Sequence, residues 1–326
     1  MNSHHFRGQG LAGLILICCT SLALAQESPS APMGLSGQQS AETVDQPMSL
    51  DQSGPSFGSP VLLMGETSPG VSAHLPPYTD EPFDNLYREV SEFFNIREAN
   101  PNTVKGEWEV EAEMFWDTRS NGYDDNFSME QSVRYGVTND FFVELGVLEP
   151  NLGDGGDQGN GDLELTLFYR CLKEVPGEDT PSIGTYLTGR FPTGDGSRNT
   201  DVTMGSIITK SLGGNWRTHF QAYVKSANGG HSDFMDDGRR DVQFGWGPGF
   251  DYEIDEKTLL LFNYLNKSGD KDGQHNNNIL ELGASREIAR TDKCTHHIKA
   301  AVDIGLDGQD ETPNAGAKFL WVLSWN

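Results

Sequence analysis

Alternate residues from Trp108 read Trp108, Val110, Ala112, Met114 and Trp116, while Glu107, Glu109, Glu111, Glu113 and Phe115 fill the positions between. A repeat of two belongs to an extended strand whose faces meet different surroundings, here an apolar face bounded by tryptophan and a face of carboxylates. The alternation returns down the chain in segments of roughly ten residues separated by Gly, Asp and Asn turns. About twelve such segments can be read, the last carrying Ala317, Phe319, Trp321, Leu323 and Trp325. The pattern predicts an all-β fold: a transmembrane, antiparallel, up-and-down β-barrel over residues 102–326.

Link lengths support this reading. Joins between strands one and two, three and four and onward take roughly nine to fifteen residues, as in Ser226 to Arg240, whereas several alternate joins take about three or four, as at Gly213-Gly214-Asn215. Long and short links then fall at opposite ends, as external loops and periplasmic turns do. The links near Glu174 to Pro181 and Ala289 to Lys293 are long for turns. Aromatic residues fall into two interfacial girdles: Trp108, Tyr169, Trp216, Tyr252 and Trp325 at the periplasmic edge, Trp116, Phe127, Phe191 and Tyr264 at the outer one.

The residues before the strands divide into three. Arg7 precedes an apolar stretch from Leu11 to Leu24, and Ala23-Leu24-Ala25 before Gln26 fits a cleavage site, so 1–25 reads as a secretory signal. Residues 26–81 are rich in Ser, Pro, Gly and Gln and read as a disordered segment. Within 82–101, Phe83, Leu86, Tyr87, Val90, Phe93, Phe94 and Ile96 recur at helical intervals, predicting a short amphipathic helix. It would dock at the periplasmic mouth, lie on the membrane, or enter the lumen as a plug.

Mean hydropathy is −0.51, and beyond the signal no stretch reaches the length of apolar residues that a spanning helix needs. A barrel escapes that limit because only alternate residues face lipid. Net charge is −25 and pI about 4.5, against a nucleic-acid partner, which would ask for clustered Lys and Arg. After cleavage Cys171 and Cys294 remain, either as one disulfide or as two thiols.

The polar parity names the lumen. Glu109, Glu111, Glu113, Glu130, Arg134, Arg170, Arg190, Arg217, His219, Lys225, Lys299 and Lys318 are candidate pore-lining residues. Glu109 to Glu113 would lie beside Arg134 and Lys318 once the first and last strands meet, forming ion pairs that either fill the interior or set the selectivity of a narrow pore. No catalytic set, metal site or cofactor is predicted. Asp154, Asp157, Asn160 and Asp162 lack the spacing of a calcium loop. His231, Asp233, Asp236 and Asp237 read as a solvated loop, and His296 and His297, adjacent on a strand, cannot share a metal. No nucleophile elbow or phosphate loop is present.

At the fourth to sixth strands, Gly159-Asn160-Gly161-Asp162-Leu163-Glu164-Leu165 leading to Tyr169-Arg170, then Thr188-Gly189-Arg190-Phe191-Pro192-Thr193-Gly194 and Ile208-Thr209-Lys210-Ser211-Leu212-Gly213, resemble the meta-pathway phenol-degradation family of outer-membrane barrels. The resemblance runs from about Asn102 onward. It implies a barrel that moves small, often aromatic compounds, and supplies no catalytic residues. The expected reading is a passive channel for small solutes in the outer membrane. Its partners would be outer-membrane lipid and the barrel-assembly machinery, which the last strand would engage although Asn326 ends the chain where an aromatic is usual. The alternatives are a soluble β-sandwich with a binding role, a barrel enzyme or adhesin acting through its loops, and a barrel with no open pore.

Overall fold

The computed structural model describes residues 94–118, 126–147, 161–175, 178–194, 199–227, 240–269, 273–307 and 314–326. By contacts the chain divides into two units, Met1–Val71 and Ser72–Asn326; the expected signal and disordered segment, and residues 82–93 of the expected helix, lie outside the described residues.

Twelve strands form one closed antiparallel barrel: β1 (Trp108–Thr118), β2 (Asn126–Thr138), β3 (Phe141–Val147), β4 (Leu163–Leu172), β5 (Ser182–Phe191), β6 (Asp201–Gly213), β7 (Trp216–Ser226), β8 (Val242–Asp255), β9 (Thr258–Lys267), β10 (Asn277–Arg290), β11 (Cys294–Gly305) and β12 (Ala315–Trp325). Each pairs with its chain neighbour, and β1 closes on β12 with Trp108 opposite Trp325 and Trp116 opposite Ala317. No strand edge is left open, the condition a sheet must meet to sit in lipid. A two-sheet sandwich is thereby excluded.

Register turns the alternation into two surfaces. Glu109, Glu111 and Arg134 are buried inside, while Trp108, Trp116, Tyr169, Leu187, Trp216, Phe220, Phe244, Trp246, Phe262 and Phe319 are exposed outside. An outer band of large apolar side chains on a closed barrel with a charged interior is the surface a bilayer solvates. At the edge of the short turns the rings of Trp108 and Tyr135 lie 4.6 Å apart and those of Trp216 and Tyr252 4.7 Å apart. Toward the other edge Trp246 meets Tyr264 at 5.8 Å.

The links at one end are tight, as at Asn139-Asp140 between β2 and β3 and Glu256-Lys257 between β8 and β9. Between β6 and β7, Gly213 and Gly214 take φ of 89° and 59°, a left-handed path that suits glycine. The two links that looked long behave differently. Ala289 and Arg290 belong to β10, which absorbs an irregularity between Glu287 and Ala289 and leaves Thr291–Lys293 as the turn. The longer link after β4 is fastened by the Glu174 carboxylate, which accepts from Ser211 N, Ser211 Oγ and Lys210 Nζ.

Candidate functional site

The lumen holds an inserted strap. Phe94 to Pro101, the described part of the expected helix, contains no helical turn; it runs as irregular chain inside the barrel. Asn95 bonds Asp303 and Lys318, the amide of Arg97 donates to Gln221 Oε1 at 2.6 Å, and that of Ala99 donates to Thr209 Oγ1 at 2.9 Å. Asn100 Oδ1 accepts from Ser182 and Arg170, and Asn102 donates to Glu109. The strap thus descends from the level of Lys318, opposite Phe115 on β1, to the end of the short turns, touching strands around most of the circumference. An irregular backbone needs partners for its amides, and here the inward side chains supply them. At its foot Gly106 (φ 87°) makes the turn into β1 and bonds Gly136 O at 2.8 Å. A Cβ on Gly136 would sit 1.8 Å from Val104 O, so only glycine lets the strap lie against β2.

Around it the structure gathers most of the charged residues expected in the lumen. Arg134, with no solvent exposure, reaches Glu144 from Nε (3.1 Å) and Nη2 (2.8 Å), pairs with Glu109 through Nη1, and touches Glu111 at 3.4 Å. Lys318 donates to Asp303 (2.7 Å), Asn95 (2.9 Å) and Glu281 (3.1 Å), which satisfies all three of its protons. Lys299 stands 4.0 Å from Glu111. Arg217 bridges Asp251 (2.6 Å) and strap residue Glu98 (2.5 Å), and His219 sits between Asp251 and Thr209. Arg170 closes on Asp140 at 2.5 Å. Arg190 and Lys225, nearer the outer rim, pair with Asp162 (2.9 Å) and Asp201 (3.4 Å) and stay partly exposed. Glu113 and Glu130 face each other across β1 and β2.

Polar parity alone misses the other half of the wall. Phe142, Phe168, Tyr186 and Ile207 also point inward, forming an apolar cluster with strap residue Ala99 and, at its margin, Tyr223. Phe142 and Phe168 stack at 4.8 Å with 5° between planes. Tyr186 covers Gly205 and Tyr223 covers Gly245, where a Cβ would meet ring atoms at 2.3 Å and 2.4 Å. The signal lay in runs such as Phe141-Phe142 and Phe168-Tyr169, apolar on both parities, which an alternation count assigns to the outer face only. Glu144, Gln221 and Asn263, all buried inward, were likewise absent from the expected set.

Above the strap lies a cavity of about 230 Å³ bordered by Phe94, Arg97, Glu111, Glu113, Phe115, Glu130, Glu144 and Glu164. Arg97 stands 3.9 Å from Glu144 and lies over the Tyr186 ring at 5.0 Å.

The remaining expectations resolve locally. Asp162 accepts from Arg190 Nε and Gly194 N, and Thr193 Oγ1 accepts from Leu163 N. The Gly-Asp-Leu and Phe-Pro-Thr-Gly pieces therefore lock β4 to β5 at the rim. Residues 154, 157 and 160 and the loop at 231–237 lie outside the described residues. His297 is buried inward while His296 meets Trp321 outside at 5.8 Å between rings. Cys171 and Cys294 are both free thiols. Among the described residues no group of acidic, His and Cys side chains is placed to hold a metal.

No protein-family model and no curated protein matches the chain. The phenol-degradation resemblance therefore gains no family match. Among solved structures, an outer membrane channel from Pseudomonas putida F1 aligns at 19% identity with TM-score 0.48, covering 68% of this chain and 96% of that one. NanC porin aligns at 12% with TM-score 0.44 over 66% and 99%. KdgM porin aligns at 7% with TM-score 0.43 over 67% and 98%. These identities are too low to carry a function across.

Proposed function

We propose that the chain is an outer-membrane channel for passive entry of small solutes, delivered by a cleaved signal at 1–25 and inserted by the barrel-assembly machinery. The observation that carries this reading is a closed barrel, apolar outside, whose lumen is lined by charged groups and keeps a 230 Å³ cavity above an inserted strap. A barrel serving only as an anchor has no need of a cavity among its inward charged side chains. The inward aromatic cluster beside the strap agrees with small solutes, aromatic ones included. The pore-lining side chains are Glu109, Glu111, Glu113, Glu130, Arg134, Arg170, Arg190, Arg217, His219, Lys225, Lys299 and Lys318.

Strap residues Ala99, Thr103 and Val104 are fully or almost fully buried, which favours a second reading, a barrel shut at rest. Planar-bilayer recording of the mature folded protein separates the two. Small, brief conductance steps are expected, since the strap narrows the periplasmic half and has to move for ions to pass. A silent bilayer with folded protein present overturns the channel reading in favour of the closed barrel.

A further inference from the structure

We infer that the cavity above the strap is a binding site for a compact organic cation, an ammonium or guanidinium group on a small apolar or aromatic body. This takes the lumen of the channel reading and names its solute class. Glu113 and Glu130 lie directly opposite across β1 and β2, and Glu164 stands next to Gly146, whose missing side chain leaves Glu130 Oε1 3.6 Å from where a Cβ would be. Acids alone would make only a polar wall. One of them, however, is left incomplete: Oε1 of Glu113 is shut off from solvent and has no hydrogen-bond partner. A buried carboxylate oxygen without a donor is costly, and a ligand that brings N–H groups removes the cost. Of the basic side chains nearby, Lys318 is committed to Glu281 and Asp303, Arg134 to Glu109 and Glu144, Lys299 stands by Glu111, and Arg97 stands by Glu144.

The protein also shows what kind of cation the cavity accepts. Arg97 of the strap places its own guanidinium at the cavity edge, beside Glu144 and over the Tyr186 ring. Carboxylate on one side and aromatic face on the other is how proteins hold organic cations. Phe94 and Phe115 offer further aromatic surface to the same space, which a hydrated metal ion would not use, and no metal-holding group occurs among the described residues.

Isothermal titration of the folded mature protein in detergent tests this with benzylammonium, and with benzyl alcohol, benzoate and Mg²⁺ as controls. Benzylammonium binds saturably, the neutral and anionic analogues do not, and Glu113→Gln weakens binding about tenfold, as loss of one close charge predicts. Glu130→Gln gives a second, independent weakening, and each variant is first checked for a folded, heat-modifiable band. Equal binding of all three organic probes, or unchanged binding in both folded variants, overturns the site. Mg²⁺ binding that depends on Glu113 overturns the organic class. Conductance without benzylammonium binding sinks this inference and spares the channel, while binding in a silent barrel does the reverse.

Discussion

Two stretches of one wall solve the problem of a filled lumen by opposite means. On the side running from β9 through β12 to β2, long charged side chains meet in pairs, with Arg134 and Lys318 each serving several acids. On the side from β3 to β8, which also carries the Arg217–Asp251 pair, the filling is mainly aromatic: rings cover glycines of the next strand, Tyr186 on Gly205 and Tyr223 on Gly245. The first depends on complete pairing, because a buried charge stripped of its partner is far costlier than the pair was favourable. The second depends on shape, because rings in contact have no spare volume. The strap reads both codes: Asn95 and Asn102 bond the charged side, and Ala99 packs on the rings.

The largest blow to this contrast should come from Arg134→Met. It leaves Glu109, Glu111 and Glu144 facing one another without their shared cation, at a cost of about 3–5 kcal/mol. Urea titration of the heat-modifiable band reads the loss; a variant as stable as the parent would mean that pairing does not hold this side. Next comes Gly205→Ala, whose methyl would meet the Tyr186 ring at 2.3 Å. Overpacking costs about 1–3 kcal/mol in the same assay, and Gly205→Ala combined with Tyr186→Leu should recover most of it. The smallest effect sharpens the distinction between buried and open pairs. Lys225 and Asp201, 3.4 Å apart near the rim, keep 28% and 11% of their side chains exposed, so Lys225→Met should change stability by less than about 1 kcal/mol.

Alternation was enough to read the strands because a barrel in lipid imposes two unlike solvents on every strand, so β1 writes its faces plainly in Trp108 to Trp116. The Glu109 to Arg134 pair followed from pairing β1 with the next strand in the chain. What the sequence hid was non-local. Glu98-Ala99-Asn100-Pro101-Asn102 has no period of its own, and its partners lie far along the chain, 119 positions away for Glu98 and Arg217. The inward rings were hidden for another reason: where a wall faces packed protein rather than water, both parities turn apolar, as at Phe141-Phe142 and Phe168-Tyr169. Over the described end of the expected helix the spacing serves another purpose, since Ile96 packs against Gly247 and Gly249 on β8.

The route of the strap also bears on how the ring is closed. Its contacts include Asn95 with β11 and β12 on one side of the β1–β12 junction and Asn102 with β1 on the other. By bonding both flanks of that seam from within, the strap adds to the β1–β12 ladder a second tie that spans the closure.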